Sequence, residues 1–85
     1  MEDKVRVDKF LWCVRLFKTR RLANEACSRS KVKMNDKSLK SSYHVKINDK
    51  ITIKKKLINI TIEVKNIISK RVSAKLVTQY INDIT

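Results

Sequence analysis

Arg6-Val7-Asp8-Lys9-Phe10-Leu11-Trp12-Cys13-Val14-Arg15-Leu16-Phe17-Lys18-Thr19-Arg20-Arg21-Leu22-Ala23 is the stretch that decides how this chain folds. Val7, Phe10, Leu11, Val14 and Phe17 recur at helical spacing and predict a first helix with one apolar stripe. Asp8, near its start, suits the positive end of the helix dipole. Thr19 fits the N-cap of a second helix from Arg20 to about Arg29, with Leu22, Ala23, Ala26 and Cys27 turned inward. The connection between the two helices is then very short.

Beyond this unit the periodicity changes. Val32 and Met34 alternate with Lys31 and Lys33, which predicts a short strand, and Asn35-Asp36 is a turn signal. Residues 37–44 are polar and loop-like. Val45, Ile47, Ile51 and Ile53 flank a second turn at Asn48-Asp49, and a strand follows at about residues 50–55. Lys54-Lys55-Lys56 marks a hairpin tip, either a solvated turn or an extra phosphate contact. Leu57 to Ile67 alternates best, with Ile58, Ile60, Ile62 and Val64 on one side. Val77, Tyr80, Ile81 and Ile84 predict a terminal helix. The expected fold class is α+β: two N-terminal helices packed on a small antiparallel or mixed sheet, plus a C-terminal helix. All 85 residues are expected to form one domain, with a core motif at about 4–55 and the hairpin strand and last helix at about 56–84.

The net charge is +13. Residues 4–40 hold twelve Lys or Arg against three acids, and residues 41–85 hold nine against three. Such a surplus repels itself in the free protein and relaxes against an anionic partner. Gly and Pro are both absent, so turns that usually need Gly must use Asn, Asp or Ser.

Few residues suit catalysis. His44 is the one histidine, in a polar loop without a partner at suitable spacing, and reads as a surface residue or one more RNA contact. The acids are scattered, which argues against paired-carboxylate chemistry. There is no Gly loop to cradle a phosphate. Cys13 and Cys27 sit among apolar neighbours and read as small buried hydrophobes. With His44 they fall short of the roughly four ligands of a structural zinc site. The expectation is a non-enzymatic binding protein with no metal and no cofactor. It has no signal peptide and no apolar run long enough to span a membrane, which predicts a reducing cytoplasm.

What remains is the basic face. Arg6, Lys9, Arg15, Lys18, Arg20, Arg21, Arg29, Lys31 and Lys33 cluster around the two-helix unit. Arg offers a planar fork that matches phosphate oxygens, and the start of the second helix adds free N–H groups. Arg20 and Arg21 stand at that end and oppose the helix dipole unless an anion bridges them. Trp12 falls off the main stripe, where it either packs under the terminal helix or stacks on a base. Tyr43 has the same two readings.

Arg6-Val7-Asp8-Lys9-x-Leu11, Arg15, Lys18-Thr19-Arg20, Ala23 and Val32-x-Met34-Asn35 resemble the small RNA-binding domain named after ribosomal protein S4. Phe10-Leu11-Trp12 with Arg15-x-Phe17-Lys18-Thr19-Arg20 is similar to the bacterial fifteen-kilodalton heat-shock protein family and to the P-site factor of ribosome quality control. Lys70-Arg71-Val72-Ser73-Ala74 with Tyr80 extends the likeness to the tail. Family glycines are replaced here by Ser30, Asp36 and Asn48, and a Pro near Val72 is missing. Asn and Asp tolerate positive φ, Ser less comfortably.

The resemblance implies a factor that binds free large ribosomal subunits still carrying peptidyl-tRNA after a stalled ribosome has split. Its partners would be large-subunit ribosomal RNA, tRNA and the large subunit. Independently of the resemblance, the chain is expected to be a monomer with no membrane partner. Arg6 and Arg20 match the family's RNA-contacting arginines, with Lys9, Arg15 and Lys18 as further matched positions. Together with the residues above, the expected RNA contacts are Arg6, Lys9, Arg15, Lys18, Thr19, Arg20, Arg21, Arg29, Lys31 and Lys33. Two other readings stand beside this one. The chain could be a general binder of nucleic acid or anionic membranes, since phosphate contacts are blind to sequence. It could also be a detached RNA-binding module of an RNA-modifying enzyme.

Overall fold

A computed structural model describes residues 4–85. Two helices, α1 (Val7–Cys13) and α2 (Arg20–Ser28), lead into strands β1 (Val32–Met34), β2 (Lys37–Ser38), β3 (Lys50–Lys55) and β4 (Ile58–Val64). A 3-10 helix (Ala74–Gln79) and strand β5 (Ile81–Asp83) end the chain. The sheet has the order β2-β1-β3-β4-β5, and every pairing is antiparallel.

The core lies between the helices and one face of the sheet. Phe10, Leu11, Ala23 and Cys27 from the helices meet Val32, Ile51, Ile53, Ile62 and Val64 from the strands. Each fully buried aliphatic side chain contributes on the order of 1.5–3 kcal/mol. The alternation read in β4 holds only at its far end. Ile62 and Val64 are buried, whereas Ile58, beside the hairpin turn, is exposed.

Both helices stop without glycine. Leu16 N–H donates to Leu11 O and Arg15 N–H to Trp12 O, which closes α1 in a Schellman motif with Arg15 at φ 63°. Lys31 N–H and Ser30 N–H repeat the pattern on Ala26 O and Cys27 O, with Ser30 at φ 60°. The first helix is therefore one turn shorter than its apolar stripe predicts, and Val14 to Thr19 form the connector. Asn35, Asp36 and Asn48 also take positive φ, so Ser30, Asp36 and Asn48 are all left-handed, as the resemblance led one to expect.

The terminal helix is corrected. Residues 74–79 form a 3-10 helix, and Ile81–Asp83 pair with β4 as its outer neighbour, Val64 opposite Ile81 and Ile62 opposite Asp83. Val77, Thr78, Ile81 and Ile84 are β-branched and weak helix formers. The open edge of β4 offers Ile81 and Ile84 backbone partners that solvent would otherwise have to supply.

Candidate RNA interface

Asp8 organises the N-terminal surface. It is 2% exposed, the only buried charged side chain among the described residues. Its Oδ1 accepts from the Lys9 backbone N–H at 2.7 Å, satisfying one free donor of the first turn of α1. Its Oδ2 accepts from Asn24 Nδ2 at 3.1 Å and from Arg6 Nη2 at 3.2 Å. Arg20 Nη2 lies 3.7 Å from Oδ1. One carboxylate thus ties α1 to α2 and gathers two arginines, whose side chains stay 42% and 45% exposed. The trio keeps a net positive charge and presents it to solvent.

Arg6 is anchored on its other side as well. Val7 N–H donates to Tyr43 O at 2.6 Å and Val45 N–H to Val5 O at 3.0 Å, and Arg6 forms a bridge with His44. Arg6 Nη2 also reaches Ser41 Oγ at 3.5 Å. Tyr43 is committed to this scaffold. Its hydroxyl donates to Asp49 Oδ2 at 2.7 Å, and burial followed by that carboxylate pushes the phenol up to about 12.

Thr19 caps α2, its Oγ1 accepting from Leu22 N–H at 3.1 Å. Arg20 follows it, and Asn24 stands one turn further on the same flank, beside Asp8. The carboxylate is the internal anion that offsets arginine charge at this helix start. Arg21 is exposed. Lys18, just before the cap of α2, and Arg29, just after its last residue, line with Lys31 a groove running to the β3–β4 hairpin.

The structure does not gather all ten expected contacts. The side chains of Arg6 and Arg20 converge on Asp8, whereas Lys9 meets it only through its backbone N–H. Lys33 pairs opposite Thr52, whose hydroxyl meets that of Thr61, so it projects from the sheet face turned away from the helices. Arg15 Nε donates to Val72 O at 2.7 Å and fastens the connector to the C-terminal segment. Arg71 lies over the Trp12 ring at 5.5 Å and donates to Trp12 O and Phe17 O. Trp12 is therefore covered by an arginine, not by a helix.

Two residues in the site escaped the sequence reading. Asp8 was legible only as a dipole partner, and Asn24 not at all. The signal was the pairing of a first-turn acid with an Asn four residues after Arg20. Cys13 and Cys27 are buried free thiols; burial pushes both upward, Cys27 to about 11. Among the described residues no group of three or more His, Cys, Asp or Glu could hold a metal ion, and no helix is long and apolar enough to cross a membrane.

The two-helix unit with its basic flank and the hairpin behind it has counterparts. The S4 domain model matches residues 5–51. The chain belongs to the S4 family of RNA-binding domains. The chain is 34% identical to the RQC P-site tRNA stabilizing factor of Bacillus subtilis over 77 residues, covering 87% of this chain and 90% of that protein. Against heat shock protein 15 of Escherichia coli it is 38% identical over 68 residues, which are 80% of this chain. The chain spans about half the length of that curated relative, 51%. The trimeric structure of Vibrio cholerae heat shock protein 15 superposes on this S4 domain with a TM-score of 0.90 at 33% identity, covering 95% of this chain and 82% of that one. The fold of heat shock protein 15 is thus shared over 95% of this chain, while the S4 model itself ends at residue 51, within β3.

Proposed function

We propose that this S4 domain is a ribosome-associated factor that grips large-subunit ribosomal RNA and peptidyl-tRNA on split large subunits, and acts by docking in the cytoplasm without catalysing a reaction. One observation carries the reading: Arg6, at the N-cap of α1, and Arg20, the first residue of α2, stand on a single buried carboxylate while their side chains remain 42% and 45% exposed. Guanidinium forks held this way match the oxygens of a phosphate backbone. The similarity to a protein named for stabilizing P-site tRNA, over nearly its whole length, supports the choice of ligand.

The test is a pull-down of the tagged chain from cells with stalled translation, followed by sedimentation. Enrichment of large subunits carrying tRNA is expected; co-migration with small subunits alone rejects the reading. In a purified system the affinity for a ribosomal RNA hairpin should fall with salt on a log–log slope of roughly −4 to −6, for about 5 to 7 neutralised phosphates. A slope near zero rejects phosphate docking.

A further inference from the structure

The hairpin joining β3 and β4 ends in an apolar tip on a basic stem. Leu57 is 99% exposed and Ile58 61% exposed, directly after Lys54, Lys55 and Lys56. A fully solvated Leu has no role in the core. The stem is held stiff. Lys55 Nζ donates to Leu16 O and lies 4.9 Å from the centre of the Phe17 ring, locking the hairpin against the α1–α2 connector. Between the tip and α2 runs a groove of about 870 Å³. Leu22, Ala26, Leu57 and Ile58 supply its apolar surface. Lys18, Arg29, Lys31, Lys54, Lys55 and Lys56 rim it, against the single acid Glu25.

An occupant must offer apolar faces and several negative charges at short spacing. A second copy of this chain, with its own net charge of +13, does not. An RNA segment does: its bases are apolar plates and its phosphates follow one another along the rim. Arg29 and Lys31 stand at the end of α2 and the start of β1, so the groove continues the basic surface already described. Exposed apolar side chains on basic frames wedge against unstacked bases in nucleic acid complexes.

We propose that the β3–β4 hairpin and its groove hold an unpaired nucleotide of the bound RNA, with Leu57 wedged against the base and the exposed Lys54 and Lys56 on the flanking phosphates. This rests on the RNA-docking reading of the α1–α2 surface but concerns a different part of the molecule. It makes the protein a reader of irregular RNA, one that selects a bulge or loop over a continuous duplex.

The experiment uses two RNA stem-loops that differ by one unpaired 2-aminopurine in the stem. The full chain should bind the bulged stem about tenfold more tightly than the paired one, the scale of one base contact, with a change in 2-aminopurine fluorescence. Leu57→Ser, at a fully solvated position that leaves the core untouched, should abolish the preference while keeping the affinity for the paired stem and the salt slope. Equal affinity of the native chain for both stems overturns the proposal, as does a preference that survives Leu57→Ser. Leu57-dependent binding to phosphatidylglycerol vesicles without any bulge preference assigns the tip to a membrane surface and also overturns it. If the native chain binds neither stem, the α1–α2 reading itself fails and takes this one with it.

Discussion

Arg6 Nη2 stands 3.2 Å from Oδ2 of Asp8, and the carboxylate it touches is almost wholly out of water. A lone buried carboxylate is unstable by several kcal/mol, so this one requires its donors. Arg20 on the other oxygen and Asn24 beside it complete the set. The consequence for binding is entropic. Each arginine has surrendered part of its rotamer freedom during folding, so less remains to be lost when a phosphate arrives.

Replacing Asp8 should therefore damage folding first. Asp8→Ala leaves two guanidiniums repelling each other and the Asn24 amide without its acceptor. We expect a loss of about 2–4 kcal/mol in urea unfolding. Asp8→Asn, which keeps the shape and one acceptor oxygen, should lose less. An Asp8→Ala protein as stable as the native chain would show that the carboxylate does not hold the helices together.

Arg6→Ala and Arg20→Ala should each weaken RNA binding by about 1–3 kcal/mol while the fold persists, because the remaining arginine still offsets Asp8. The double substitution should lose more stability than the two singles combined, since it strands the carboxylate with Asn24 alone. Fluorescence anisotropy read beside circular dichroism separates the two effects. Strict additivity in unfolding free energy would mean that the arginines do not share the carboxylate.

Ser30 occupies the left-handed position that closes α2, and it is exposed. A residue with a Cβ costs about 1 kcal/mol or more there relative to glycine. Ser30→Gly should raise the thermal midpoint by about 4–8 °C for a domain of this size. Arg15→Gly should gain less, because it also removes the hydrogen bond to Val72. Calorimetry on the pair decides it: a midpoint unchanged in Ser30→Gly rules out strain at that turn.

Alkali should weaken the fold before it disrupts any surface charge pair. Burial, with Asp8 adding to it, pushes the Cys27 thiol up from 9.0 to about 11. Burial and the Asp49 contact push the Tyr43 phenol up from 10.0 to about 12. Both folded values are raised, so the stability linked to these groups is fully present below pH 9. It declines as the unfolded chain ionises first, and is lost as pH passes the folded values. The urea midpoint should fall between pH 9 and 11, and Cys27→Ala should remove part of that fall. An identical decline in Cys27→Ala would place its origin elsewhere.

Much of this molecule was legible in the residues alone. The stripe Val7, Phe10, Leu11 and the cap at Thr19 announce two helices, because helical period and capping are local properties. The left-handed turns at Asn35, Asp36 and Asn48 follow from the same local chemistry. Positive charge around the helices was equally plain. The far end was not: Ile81 and Ile84 suit a helical stripe and a strand alike, and the free edge of β4 decided between them.

By itself the sequence determined the α+β class, the two opening helices, the turns and the sign of the surface. Tertiary structure alone decided that Arg6 and Arg20 share Asp8, that Arg15 serves Val72, that Lys33 faces away, and that Leu57 stands clear of the core. The division has one cause. Backbone preferences and charge are carried by each residue and its near neighbours, whereas a buried carboxylate's partners and an exposed tip exist only once distant segments have been packed together.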